Sequence, residues 1–263
     1  PVVWAWQQVN SHIGTLSPDS IVNIGGAHLF LGTDNFYLFD GSNTTAIGEE
    51  VNEYFFNRLN KLYIKNVESL HDDENGLVYW FYPTGSTGAL TACIVYNYRV
   101  NKWGVATYSV ESAVKTTVDG VAYDGLGDFY ASYDSLPNVA YDEPIFNDSG
   151  AKIALFHSTG SLSTLNGAGQ NMSITTHFQG DDDMHILVQR IRPRFITAPE
   201  SATLSDYYTD LSGEGGSNTT SVSMNDGKFD VLREARWHSF KMDFVGDVNI
   251  VGFTVTAKGG GNE

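Results

Sequence analysis

Residues 92–107 read ACIVYNYRVNKWGVAT. Cys93, Ile94, Val95 and Tyr96 form an apolar run, Asn97–Lys102 is a polar turn, and Trp103 announces a second run. Aromatic and β-branched segments broken by a short Asn/Arg/Lys stretch mark a hairpin. A tryptophan just past the turn suits a half-buried pleated surface. The same grammar recurs upstream in His28–Gly41, HLFLGTDNFYLFDG, where Leu29–Leu31 and Phe36–Phe39 flank the turn-forming types Gly32, Thr33, Asp34 and Asn35. It recurs downstream in KIALFHSTGSLSTLNG, residues 152–167. Short strands joined by tight turns predict an all-β chain, a β-propeller-like array of small antiparallel sheets.

A repeat supports the array. Phe30–Gly41 aligns without gaps on Phe156–Gly167, and Val114–Gly125 falls in the same register. The two offsets are multiples of about 42 residues, within the roughly 40–50 of propeller blades. Residues 1–6, PVVWAW, read as strand, which together with the missing initiator methionine suggests a fragment of a longer chain. Glu49–Asn60, EEVNEYFFNRLN, is the best helical candidate. Acids lead it, and Val51, Tyr54, Phe55 and Leu59 fall at helical spacing. KLYIKNV (61–67) and LVYWFYP (77–83) read as strands around the acidic turn HDDENG (71–76). That turn lacks the alternating ligands of a calcium loop. The segments at 118–134 continue the strand pattern, and 136–150 reads as a loop.

Beyond residue 170 the texture changes, so the chain divides into propeller blades over 1–170 and an antiparallel β segment over 171–263, a last blade or a small sandwich. QGDDD (179–183) reads as a turn. In MHILVQRIRPRF (184–195), Leu187, Gln189, Ile191 and Phe195 are expected on one strand face and Arg190, Arg192 and Arg194 on the other. Residues 197–220 are largely polar and end in a flexible glycine-rich run. Phe240, Met242 and Phe244 then alternate with Lys241 and Asp243, and Val251, Phe253 and Val255 with Thr254 and Thr256.

Chemistry is harder to find. Formal net charge is −16, from 31 acids and 15 bases, which argues against a general nucleic-acid binder, because such proteins need basic surface. Cys93 is the single cysteine, so the chain has no internal disulfide, and its apolar flanks read as core. Seven histidines show no metal-ligand spacing, and no nucleophile elbow, phosphate loop or dinucleotide fingerprint is present. Trp80 and Trp103 could stack on sugars but read better as blade packing. The sequence names no catalytic residue, cofactor or metal, and no apolar run reaches the roughly 20 residues of a membrane span. The arginine row stands out: its guanidinium groups suit a phosphate backbone or carboxylates, and in so acidic a chain the ion-pair reading, within or between subunits, is preferred.

FLGTDNFYLFDG followed by TAIGEEVNEYFFNRLN, then LTACIVYNYRVNKWGVAT, ALFHSTGSLSTLNG and the closing RIRPRF, GKFDV and RWH together resemble the tail nozzle, or head-to-tail stabilization, proteins of short-tailed bacteriophages. The likeness spans residues 28–258 by pattern. It implies a virion subunit with a β-propeller core, assembled as a hexameric ring below the portal and adaptor, lining the route by which DNA leaves the capsid without being specifically bound. It implies no catalysis, no cofactor and no membrane insertion, with assembly in the host cytoplasm. Two other readings compete: a propeller that binds a protein or glycan, and a glycosidase on the same fold.

Overall fold

The computed structural model describes residues 4, 8–10, 12–117, 151–165, 170–210 and 218–259. All but residue 4 of the segment expected at 1–6, the segments expected at 118–134, the loop over 136–150 and residues 213–217 of the glycine-rich run 213–220 lie outside the described residues. The chain forms two compact units, residues 1–166 and 167–263.

The first unit is a succession of antiparallel meanders. Strands β1 (Val22–Asn23), β2 (His28–Leu31), β3 (Phe36–Phe39) and β4 (Thr44–Ala46) form one sheet. Strands β5 (Glu68–Asp72), β6 (Leu77–Tyr82), β7 (Ala92–Asn97) and β8 (Lys102–Ala106) form the next. Strands β9 (Ser112–Thr117), β10 (Ala151–Phe156) and β11 (Leu162–Thr164) form a third. The sheets open at Val22, Glu68 and Ser112, about 45 residues apart, a blade-length step. The sequence repeat marks something smaller. Phe30 lies in the second strand of the first sheet as Phe156 does in that of the third, but residue 72, one step of 42 further on, closes the first strand of its sheet rather than the second. The repeat records hairpin chemistry, not blade register.

The β7–β8 hairpin shows how turn residues set the register. Asn97 Oδ1 accepts the amides of Arg99 (3.0 Å) and Val100 (3.3 Å), and Asn101 takes the left-handed conformation at φ 53°. The Tyr96 hydroxyl donates to Asn101 Oδ1 at 3.0 Å, and the Tyr96 ring stacks on Trp103 directly opposite.

Strand β6 explains the continuous apolar run LVYWFY. Val78, Trp80 and Tyr82 face a core shared with Leu29, Leu31 and Phe36 of the first sheet, with Phe55 and Leu59 beside them. Phe81, with Cys93 of β7, faces the opposite way onto Ala113, Ile153 and Leu155 of the third sheet. A sheet covered on both faces needs apolar residues at every position, and that is the pattern here. Polar atoms fasten the layers. Trp103 Nε1–H donates to the Ile47 carbonyl at 3.1 Å, and Glu68 Oε2 accepts Ser112 Oγ at 3.0 Å and the Ala113 amide at 2.9 Å.

The expected helix forms as α1 (Asn52–Arg58), with Phe55 buried and the Arg58 guanidinium 4.4 Å from the Tyr54 ring centre. The strand expected over 61–67 does not form. Residues Lys61–Asn66 make a 3-10 helix instead, started by the Asn60 side chain, which accepts the Leu62 amide at 3.0 Å. Leu62 is 89% exposed, so its apolar character carries no strand signal.

The second unit is a sandwich of two sheets. Strands β12 (Met172–Thr175), β13 (Gln179–Gly180), β15 (Ser201–Thr209), β16 (Asn218–Ser223) and β18 (Trp237–Val245) make the larger, in which β12 and β13 both pair with β18. Strands β17 (Phe229–Ala235), β14 (Ile186–Thr197) and β19 (Asn249–Gly259) make the smaller, in that order. Between them lie Val188, Ile191, Leu204, Phe229, Phe240, Met242 and Phe244. The QGDDD segment is only partly a turn, because Gln179 and Gly180 pair with His238 and Trp237. A side chain at Gly180 would collide with the Arg236 carbonyl, which explains the glycine.

Candidate self-association surface

Strand β14 carries the arginine row. Arg190, Arg192 and Arg194 are all exposed and lie opposite Thr256, Thr254 and Gly252 of β19. The core-facing set differs from the expected one. A bulge falls between Val188 and Arg190, which shifts the alternation by one residue. Val188, Ile191 and Pro193 are therefore buried, while Leu187 and Gln189 are only partly covered. The arginines keep their outward face because all three follow the bulge.

The three are not equivalent. Arg190 Nε donates to Asp230 Oδ1 at 2.8 Å, across to the adjacent strand β17, and Lys228 Nζ lies 3.5 Å from Asp230 Oδ2. Neither Arg192 nor Arg194 meets a carboxylate among the described residues. On a chain with 31 acids, two neighbouring guanidinium groups on one strand face without counter-charge form a surface able to take an anionic partner.

The hydrogen bond from Arg190 holds the Asp230 carboxyl below its ordinary range, with Lys228 adding to the effect. A depressed carboxyl contributes stability above its unfolded pKa and loses it as pH falls through its folded value. Arg190→Gln is accordingly expected to move the Asp230 carbon-13 titration upward in NMR. An unchanged midpoint would contradict the ion pair.

Other polar groups are structural. His238 Nδ1 lies 3.1 Å from Asp206 Oδ1, and its Nε2–H donates to the Ile186 carbonyl at 3.1 Å. Both side chains are buried, at 2% and 0% exposure, so no substrate reaches them. This pair escaped the sequence reading because Asp206 sits in a stretch that looks like polar loop. His71 lies 3.2 Å from the Tyr98 hydroxyl, and His157 Nε2 lies 2.6 Å from Ser163 Oγ. Among the described residues no cluster of His, Cys, Asp or Glu could hold a metal ion. Cys93 is fully buried, and burial pushes its thiol pKa well up, so it is an inert core residue. Trp80 is buried as well, and Trp103 packs against the same core.

A cleft of about 140 Å³ is lined by Asp72, Glu74, Tyr79, Lys115 and Lys152, smaller than the roughly 300–1,000 Å³ of typical ligand sites. No helix among the described residues is long and apolar enough to cross a membrane. No protein-family model and no curated protein matches the chain.

Proposed function

We propose that this chain is a structural subunit of a short-tailed phage tail, a nozzle component. It self-associates into a hexameric ring that contacts the portal, adaptor and other tail proteins and extends the DNA-ejection channel. The likeness of residues 28–258 to nozzle proteins motivates the reading. The observation that carries it is Arg192 and Arg194, which meet no carboxylate among the described residues, on an exposed sheet face of a chain whose net charge is −16. Such a row gives an acidic subunit somewhere to accept carboxylates from a neighbour. The acidic balance also suits a wall past which DNA must slide without sticking.

Sedimentation velocity and negative-stain imaging at low salt test the reading. A discrete ring is expected, dissociating as ionic strength rises. Arg192→Glu with Arg194→Glu is expected to weaken assembly by about tenfold or more, through like-charge contacts at the junction. A chain that stays monomeric at every concentration and salt level would end the proposal.

A further inference from the structure

Strand β19 stands at one edge of the smaller sheet of the second unit. It runs from Asn249 to Gly259 and pairs with β14 along one edge only, its other edge having no strand partner among the described residues. Exposed edges are normally blunted by proline, by charge or by shortness. β19 has none of these over Asn249–Ala257, its first charged residue being Lys258, and its bulge at Val251 lies near its start, leaving Gly252–Ala257 a regular open edge. Phe253 and Val255, opposite the buried Pro193 and Ile191, share the inner side at 40% and 39% exposure, Thr254 and Thr256 share the outer, and Val251, 70% exposed, sits at the bulge between Ile250 and Gly252.

The opposite edge of the same sheet is β17, which also pairs with β14 alone. The register places Asp230 opposite Arg190 and Glu234 opposite Leu187, on the outer face with the arginine row. Glu234 is exposed and meets no cation among the described residues. Leu232, 69% exposed at φ 50° in the middle of β17, adds apolar surface to that edge.

We infer that the edge of β19 is completed by the β17 edge of a second copy of this chain, extending the three-stranded sheet from subunit to subunit. The inference rests on the ring reading and names its junction. Charge selects this pairing over its rival. Two β19 edges joined about a twofold axis would bring only Thr254, Thr256 and Gly252 between the arginine rows, leaving Arg192 and Arg194 of both copies unmatched. A head-to-tail junction places the β17 carboxylates two strand spacings, about 10 Å, from the β14 backbone. Long arginine and glutamate side chains meet over that distance, and the residues between them, Gly252 and Thr254, are small. The two strands each run antiparallel to β14, so the new pair is parallel. Because it joins different surfaces, the junction is heterologous and closes into a ring when the rotation allows.

Cysteine cross-linking of the full chain tests this, since buried Cys93 stays unlabelled. Thr254→Cys and Leu232→Cys are made separately, mixed, and treated with a bis-maleimide that tolerates one register step of about 7 Å. A covalent dimer from the mixture, and a ladder from the double variant, are expected. Dimers from Thr254→Cys alone would mean twofold β19 pairing and overturn the inference. A ring that forms without cross-linking would overturn it and leave the ring reading standing, whereas no assembly at all would overturn both. Phe253→Lys supplies a second measure. A lysine on the open edge is expected to weaken assembly about tenfold or more while the far-ultraviolet spectrum is unchanged. Unchanged assembly would count against the junction.

Discussion

Replacing His238 with alanine is expected to destabilise the unit formed by residues 167–263 by about 3–5 kcal/mol, the range for removing one partner of a fully buried hydrogen-bonded pair. The imidazole joins the two layers of the sandwich. It stands on β18 of the larger sheet, beside Asp206 of β15, and donates to Ile186 on β14 of the smaller. Nδ1 faces the carboxylate at 3.1 Å, and the ring also lies 5.8 Å from Phe240, nearly parallel to it. Without it, Asp206 loses its one partner among the described residues, for its second oxygen has none there. Water cannot easily make up the loss at a site that is 0% exposed. Asp206→Val combined with His238→Phe is expected to recover most of the deficit, since an apolar pair of similar volume removes the desolvation penalty. Urea unfolding, with hydrogen exchange over β15 and β18, measures both effects. A single variant as stable as the parent would show that the pair contributes nothing.

That pair marks where the sequence stops being legible. Hairpins were readable because their turns are local: Asn97 and Asn101 fix the β7–β8 reversal from within the turn. The alternation Phe240, Met242, Phe244 was readable because β18 buries that side and leaves Lys241 and Asp243 to pair with each other at 2.9 Å. SATLSDYYT, residues 201–209, was not readable as a strand. Its inward positions are Ala202, Leu204 and Asp206, and the last is tolerable only because His238, 32 residues away, answers it. The Val188–Arg190 bulge was equally hidden, since a strand's period of two gives no sign of the residue at which it slips. The arginine row was visible as a charge pattern. What it lacked was the distinction that the fold supplies between Arg190, held by Asp230, and the two guanidinium groups beyond it that meet no carboxylate among the described residues.

Trp80→Ala is expected to cost the first unit about 3–5 kcal/mol, as deletion of a large buried aromatic does. Trp80 is fully buried on the face of β6 that meets the first sheet, with its ring 4.9 Å from Phe36 and 5.8 Å from Trp103. Its Nε1–H donates at 2.9 Å to the carbonyl of Ser20, a residue that leads into the first strand and is itself buried. The side chain therefore fills the layer between successive sheets and also satisfies a backbone acceptor that precedes them. These two roles separate by substitution. Trp80→Phe keeps most of the volume and loses the donor, so its cost is expected at about 1–3 kcal/mol, the penalty of one unpaired buried acceptor. Chemical unfolding followed by circular dichroism distinguishes the pair, because the remaining tryptophans would confuse a fluorescence signal. Equal losses for alanine and phenylalanine would mean that the hydrogen bond to Ser20, rather than packing between the sheets, is what Trp80 provides. A loss for alanine below about 1 kcal/mol would mean that the first and second sheets do not depend on each other as their shared core requires.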